Sequence, residues 1–93
     1  MSEITRRLLV SGHVQGVSYR WWTIGAATAL GLTGWVRNVG DDRVEIVATG
    51  IPEAIDRLVE QCHAGPRGAR VHSVETSEIR FERFGSFTQH PSI

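Results

Sequence analysis

The sequence predicts an α+β fold of β-α-β-β-α-β order, an antiparallel sheet covered on one face by two helices. Three observations predict it. Two stretches, Trp21 to Leu32 and one beginning at Pro52, carry apolar residues at helical spacing. Short runs of branched apolar residues precede, separate and follow them. Between the two central runs, Gly40-Asp41-Asp42-Arg43 has the composition of a hairpin turn. No repeat, low-complexity block or linker interrupts this order, so residues 1–93 read as one domain.

Taken in order, Leu8-Leu9-Val10 is short, apolar and bounded by Arg7 and Gly12, as a buried strand would be. A loop with Gly12 and Gly16 follows. The first helix carries Ile24, Ala27 and Leu30, is weakened by Gly25, and is closed by Gly31 and Gly34. Gly34–Val39 and Val44–Thr49 are the next strands. In the second of these, Val44, Ile46 and Ala48 face one way and Glu45, Val47 and Thr49 the other. Pro52 suits the first position of a second helix, whose apolar face holds Ile51, Ile55, Leu58, Val59 and Cys62, opposite Glu53, Arg57 and Glu60. Gly65-Pro66 ends it, Arg67 to Arg70 is a loop, and Val71 to Phe84 alternates as a last long strand. Phe87 begins a short extra strand, and Pro91 is expected to stop any ladder there.

Composition removes several chemistries. Ten basic residues balance ten acidic ones, which argues against broad binding to nucleic acid or to an anionic membrane. All ten are arginine, so neither a Schiff-base lysine nor a phosphate-loop lysine exists. Cys62 is the only cysteine, which rules out an intrachain disulfide and favours a reducing compartment. The polar start, Ser2 to Arg7, lacks the apolar core of a signal peptide or membrane span. A cytoplasmic monomer is the expectation.

Gly12-His13-Val14-Gln15-Gly16-Val17-Ser18-Tyr19-Arg20 runs from a strand into a helix. Helix starts leave N–H groups unpaired, and a glycine-punctuated loop there can turn successive amides toward one anion. Arg20 stands where its guanidinium could close such a cradle with two parallel hydrogen bonds. Two glycines ahead of a helix are also common, and first-turn arginines often face water, so spacing alone leaves both readings open. Asn38 is similarly double: its amide could accept from a water and donate to a phosphate oxygen, or it could simply begin a turn.

Together the two segments resemble the acylphosphatase family. Residues Gly12 to Arg20 match its first motif, approximately G-x-V-Q-G-V-x-[FY]-R, throughout. Gly34 to Val44 match its second, approximately G-[WY]-V-x-N-x-x-D-G-x-V, except at Asp42, where the family usually has glycine. The resemblance spans essentially the whole chain. It implies a ferredoxin-like α+β sandwich and hydrolysis of small acyl phosphates, with no cofactor and no metal. It also implies that the loop from His13 through Val14, Gln15, Gly16, Val17 and Ser18 to Tyr19 binds the phosphoryl group together with Arg20, and that Asn38 holds the attacking water. Aspartate tolerates left-handed backbone, so Asp42 is expected to cost little stability. The segment Phe87 to Ile93 departs from the family's usual apolar and basic ending.

Other residues invite roles they do not need. His13 receives no catalytic part, and His63, His72 and His90 lack metal-ligand spacing. Cys62 lies on an apolar stripe and reads as a buried, inert thiol. Ser18 has no evident base and reads as a helix cap. Of Trp21 and Trp22, one is expected to pack on the sheet and the other to lie at the surface beside the loop. Two rivals remain in view. A single-strand RNA-binding module would need aromatics on its central strands, and Val44–Thr49 has none. A noncatalytic relative, such as the carbamoyl-phosphate-handling domain of hydrogenase-maturation proteins, would keep the fold, and carbamoyl phosphate is a conceivable substrate of the enzyme itself.

Overall fold

The computed structural model describes residues 2–93. The chain forms β1 (Ile4–His13), α1 (Tyr19–Ala29), β2 (Thr33–Val39), β3 (Arg43–Gly50), α2 (Pro52–Ala64), β4 (Arg70–Ile79) and β5 (Phe87–Gln89). The five strands make one sheet in the order β4-β1-β3-β2-β5. The first four pair antiparallel, as the expected α+β class requires, and β5 joins β2 in parallel, so the sheet is mixed.

Alternation decides which face holds the core. Leu8 and Val10 of β1 lie opposite Ile46 and Val44 of β3, and Val36 of β2 lies on the other side of Ile46. All five are fully buried against Ala27 of α1 and Ile55, Leu58 and Cys62 of α2. The helix termini follow their glycines. Beyond α1, Gly31 has φ 76; Leu32 N–H reaches Ala27 O at 3.0 Å and Gly31 N–H reaches Thr28 O at 3.0 Å, the paired bonds of a Schellman ending. They turn the chain into β2, and buried Leu32 seals the corner.

The helix-free face is not a solvated polar surface. Glu45, Val47 and Thr49 of β3 are also buried. Arg37 Nε, directly across the ladder, donates to Glu45 Oε1 at 2.7 Å, and Arg7 Nε donates to Oε2. Burial alone would raise the Glu45 carboxyl, but the hydrogen bonds and charges of Arg7 and Arg37 outweigh it and hold it below the usual carboxylate value. A depressed folded value gives stability that is present above the unfolded carboxylate pKa, about 4.3, and lost as pH falls through the folded one. Glu45→Gln is therefore expected to cost on the order of 2 kcal/mol at pH 7 and to flatten the acid limb of stability. Urea melts from pH 7 to pH 3 measure both; an unchanged acid limb would contradict the assignment.

Several boundaries differ from the expected ones: β1 runs on through Gly12 and His13, which were expected in the loop, and α1 spans Tyr19–Ala29 where Trp21 to Leu32 was expected. The last long strand ends at Ile79 rather than Phe84. Beyond it the backbone of Glu82 crosses to two buried hydroxyls, its N–H donating to Thr5 Oγ1 at 2.9 Å and its carbonyl accepting from Thr49 Oγ1 at 2.7 Å. Those bonds replace the ladder. The β2–β5 ladder ends at Gln89, ahead of Pro91 as expected, and beyond it His90 N–H still donates to Val36 O at 2.9 Å and Ile93 N–H to Asn38 O at 3.1 Å. At Asp42 the cost of left-handed backbone does not arise. Gly40 carries the positive φ of that turn, and Ser18 is the only non-glycine with one among the described residues.

Candidate active site

The site is assembled where β1 leaves the sheet. Pairing with β4 shifts between Ser11 and Gly12. Gly12 has φ 132, and a Cβ there would stand 2.3 Å from Arg70 O, so the bulge requires glycine. The loop that follows is held at three points. Val14 and Tyr19 are both buried in the core, and Tyr19 Oη donates to Cys62 O at 2.7 Å. Gln15 Nε2 donates to Gly40 O and Arg43 O, each at 3.0 Å, tying the loop to the β2–β3 turn.

Between these anchors φ alternates in sign. Gly16 (74) and Ser18 (64) are positive, whereas Gln15, Val17 and Tyr19 are not. Such alternation turns successive N–H groups into one concavity. None of the N–H groups from Gln15 to Trp21 donates to a backbone acceptor among the described residues; the first helical bond is Trp22 N–H to Ser18 O at 2.9 Å. Ser18 thus occupies the N-cap position with its carbonyl only. Its hydroxyl makes no capping bond, contrary to the expectation of a side-chain cap, because the left-handed backbone carries the side chain away from the first turn. Ser18→Ala is accordingly expected to change stability by less than about 0.5 kcal/mol, where loss of a working cap would cost about 0.5–2 kcal/mol. Chemical denaturation distinguishes the two.

A cavity of ≈ 400 Å³ opens over this loop, lined by Val14, Gly16, Ser18, Tyr19, Arg20, Trp21, Asn38 and Gln89. Arg20 rises from the first turn of α1 and makes no ion pair or hydrogen bond among the described residues, unlike Arg6, Arg7 and Arg37, each of which holds a carboxylate. Asn38 comes from β2, opposite Val44. Its Oδ1 is the one buried side-chain oxygen or nitrogen among the described residues without a hydrogen-bond partner. A buried acceptor in that state is normally satisfied by a water or a ligand donor.

The structure therefore gathers Val14, Gly16, Ser18, Tyr19, Arg20 and Asn38 around one space. His13 is the last residue of β1, paired with Arg70, exposed and outside the cavity. Gln15 and Val17 do not line it: the Gln15 side chain is committed to the turn, and Val17 packs against the core. Trp21 is 77% exposed at the rim, whereas Trp22 packs edge-on against Tyr19 at 5.3 Å between centroids. Gln89 was not foreseen. Because Phe87 is buried on the core face, Gln89, two residues on, shares that face beside Val36 and reaches the cavity next to Asn38. The spacing Phe87-x-Gln89 was the available signal, and it means nothing until β5 is known to pair with β2.

The remaining reactive groups lie elsewhere. Burial pushes the Cys62 thiol up to about 11, so at neutral pH it is protonated and inert. Burial likewise raises the Tyr19 phenol, which serves as a hydrogen-bond donor. His90 stacks on Trp35 at 4.6 Å, outside the site. No three His, Cys, Asp or Glu side chains are grouped as metal ligands among the described residues. No described helix is long and apolar enough to cross a membrane.

Comparison with known proteins assigns the chain to a family. The acylphosphatase family model matches residues 6–88. An acylphosphatase of Rhizorhabdus wittichii is 40% identical over 90 residues, covering 97% of this chain and 91% of that one. Another, from Marinobacter nauticus, is 57% identical over 72 residues, covering 77% and 78%. Among solved structures, an acylphosphatase from Coxiella burnetii superposes with a TM-score of 0.92 at 39% identity, covering 95% of this chain and 93% of that one. With the match spanning the bulge, the amide loop, Arg20 and Asn38 alike, the chain belongs to the acylphosphatase family of hydrolases.

Proposed function

We propose that this chain hydrolyses acyl phosphates by in-line attack of a water held by Asn38 on a phosphoryl group bound by Arg20 and the loop amides of residues 15–19. One observation carries the reading: Arg20 with its uncommitted guanidinium, Gly16, Ser18 and Tyr19 with N–H groups that have no backbone acceptor, and Asn38 with its unpartnered buried Oδ1 line the same cavity.

The chemistry asks for little more. The amides and the Arg20 fork neutralise the phosphoryl oxygens, whose charge must be met as the bond to the leaving group lengthens. The water donates a hydrogen bond to Asn38 Oδ1, which aims the water's lone pair at phosphorus. The new O–P bond forms as the P–O bond to the acyl group breaks, and the electron pair departs on a carboxylate. That anion is stable at neutral pH, so the leaving oxygen requires no general acid. Asparagine is no base, and the attacking water's proton passes to a phosphoryl oxygen. Arg20 and the amides supply electrostatics, and Asn38 supplies positioning.

The test is hydrolysis of benzoyl phosphate in excess chelator, beside a phosphate monoester of a simple alcohol. Turnover is expected to persist with chelator present and to fail on the monoester, whose alkoxide leaves poorly. Activity that disappears with chelation, or equal rates on the two substrates, would overturn the mechanism.

A further inference from the structure

We propose that the apolar groove along α1 beside the phosphoryl cavity receives the acyl group, making this chain selective for acyl phosphates with a bulky, uncharged, preferably aromatic acyl part. This rests on the hydrolase reading above and adds the identity of the substrate's other half. The groove, ≈ 580 Å³, is lined by Ser18, Trp21, Trp22, Gly25, Ala26, Gln61 and Pro66. Ser18 and Trp21 line the phosphoryl cavity as well, so the two spaces share a rim. A substrate whose phosphoryl group sits in one can project its acyl group past that rim into the other.

The lining selects by chemistry. No charged side chain is among the seven residues, so a carboxylate or second phosphate on the acyl group would find no partner there. Trp21 presents 77% of its surface at the junction, and Trp22 adds a second indole along the wall; aromatic faces favour an aromatic ligand over a methyl group.

Gly25 supplies a separate observation. It lies inside α1, where glycine is unfavourable relative to alanine. Neither backbone nor packing explains it: its φ lies outside the left-handed range, and an added Cβ would meet nothing within 4 Å. The open space above Gly25 is the groove itself. The helix gives up stability at a position where any side chain would raise the groove's floor.

Three chains are compared: wild type, Gly25→Leu and Trp21→Ala. Each is assayed for kcat/KM on benzoyl and acetyl phosphate, and for affinity toward benzylphosphonate and methylphosphonate by tryptophan fluorescence. The benzoyl-to-acetyl ratio is expected to fall about tenfold in both variants, the order that one lost aromatic contact gives, and the phosphonate ratio to fall with it. Gly25→Ala is expected to raise the melting temperature by roughly 3–6 °C, showing that packing does not require the glycine. Ratios that stay within twofold of wild type in Gly25→Leu would overturn the groove assignment. A wild type that turns over neither acyl phosphate would overturn the hydrolase reading instead, and the phosphonate ratios would still decide the groove.

Discussion

Arg20→Ala is expected to lower kcat/KM for benzoyl phosphate by about 10² to 10⁴, the range seen when a positioned transition-state donor is removed. The size follows from what remains. Arg20 has no carboxylate partner among the described residues, so truncating it frees no buried charge and leaves the fold untouched. The amides of the loop persist, yet they place only partial charges against a developing dianion. Arg20→Lys is expected to recover little, because a point charge on a flexible stem cannot make two parallel bonds to phosphoryl oxygens. Steady-state kinetics decide it, with circular dichroism and a thermal melt as controls. Near wild-type turnover in Arg20→Ala would remove the guanidinium from the mechanism.

Asn38→Ala is expected to reduce kcat by about 10² to 10³ while moving KM only a few-fold, since a residue that holds water contributes in the transition state more than in substrate binding. The same substitution removes the one unpartnered buried oxygen among the described residues, so stability should not fall as it does when a satisfied polar group is deleted. Asn38→Asp separates positioning from charge. It keeps the acceptor but sets a negative group beside a negative phosphoryl, and should raise KM where alanine does not. A rise in KM alone for Asn38→Ala would reassign the residue to substrate binding.

Much of this was legible before any coordinates. The hairpin turn and both helices follow from short-range rules: proline at a helix start, glycine where φ is positive, apolar residues at periods of two and 3.6. Arg20 and Asn38 stood out as candidates because their motifs are local, each within about ten residues. The misreadings share a cause. Strand β4 reads as continuing to Phe84 because alternation persists in the letters, whereas Thr5 and Thr49, far away in sequence, take the backbone of Glu82. Ser18 has the residue type of a cap, but its left-handed backbone is set by the anchoring of Val14 and Tyr19 on either side.

Residue order by itself therefore determined the order of the elements and the family, since both are carried by neighbours along the chain. Tertiary structure alone decided what shares the cavity. It brought Asn38 from β2 to the cavity that Arg20 of α1 lines, added Gln89 to that lining through a three-residue parallel strand, and left Gly25 in the lining of an open groove. These are contacts between segments whose separation along the chain carries no information about distance. They are fixed only when Leu8, Val36 and Ile46 have closed against the helices and every backbone group has found, or failed to find, its partner.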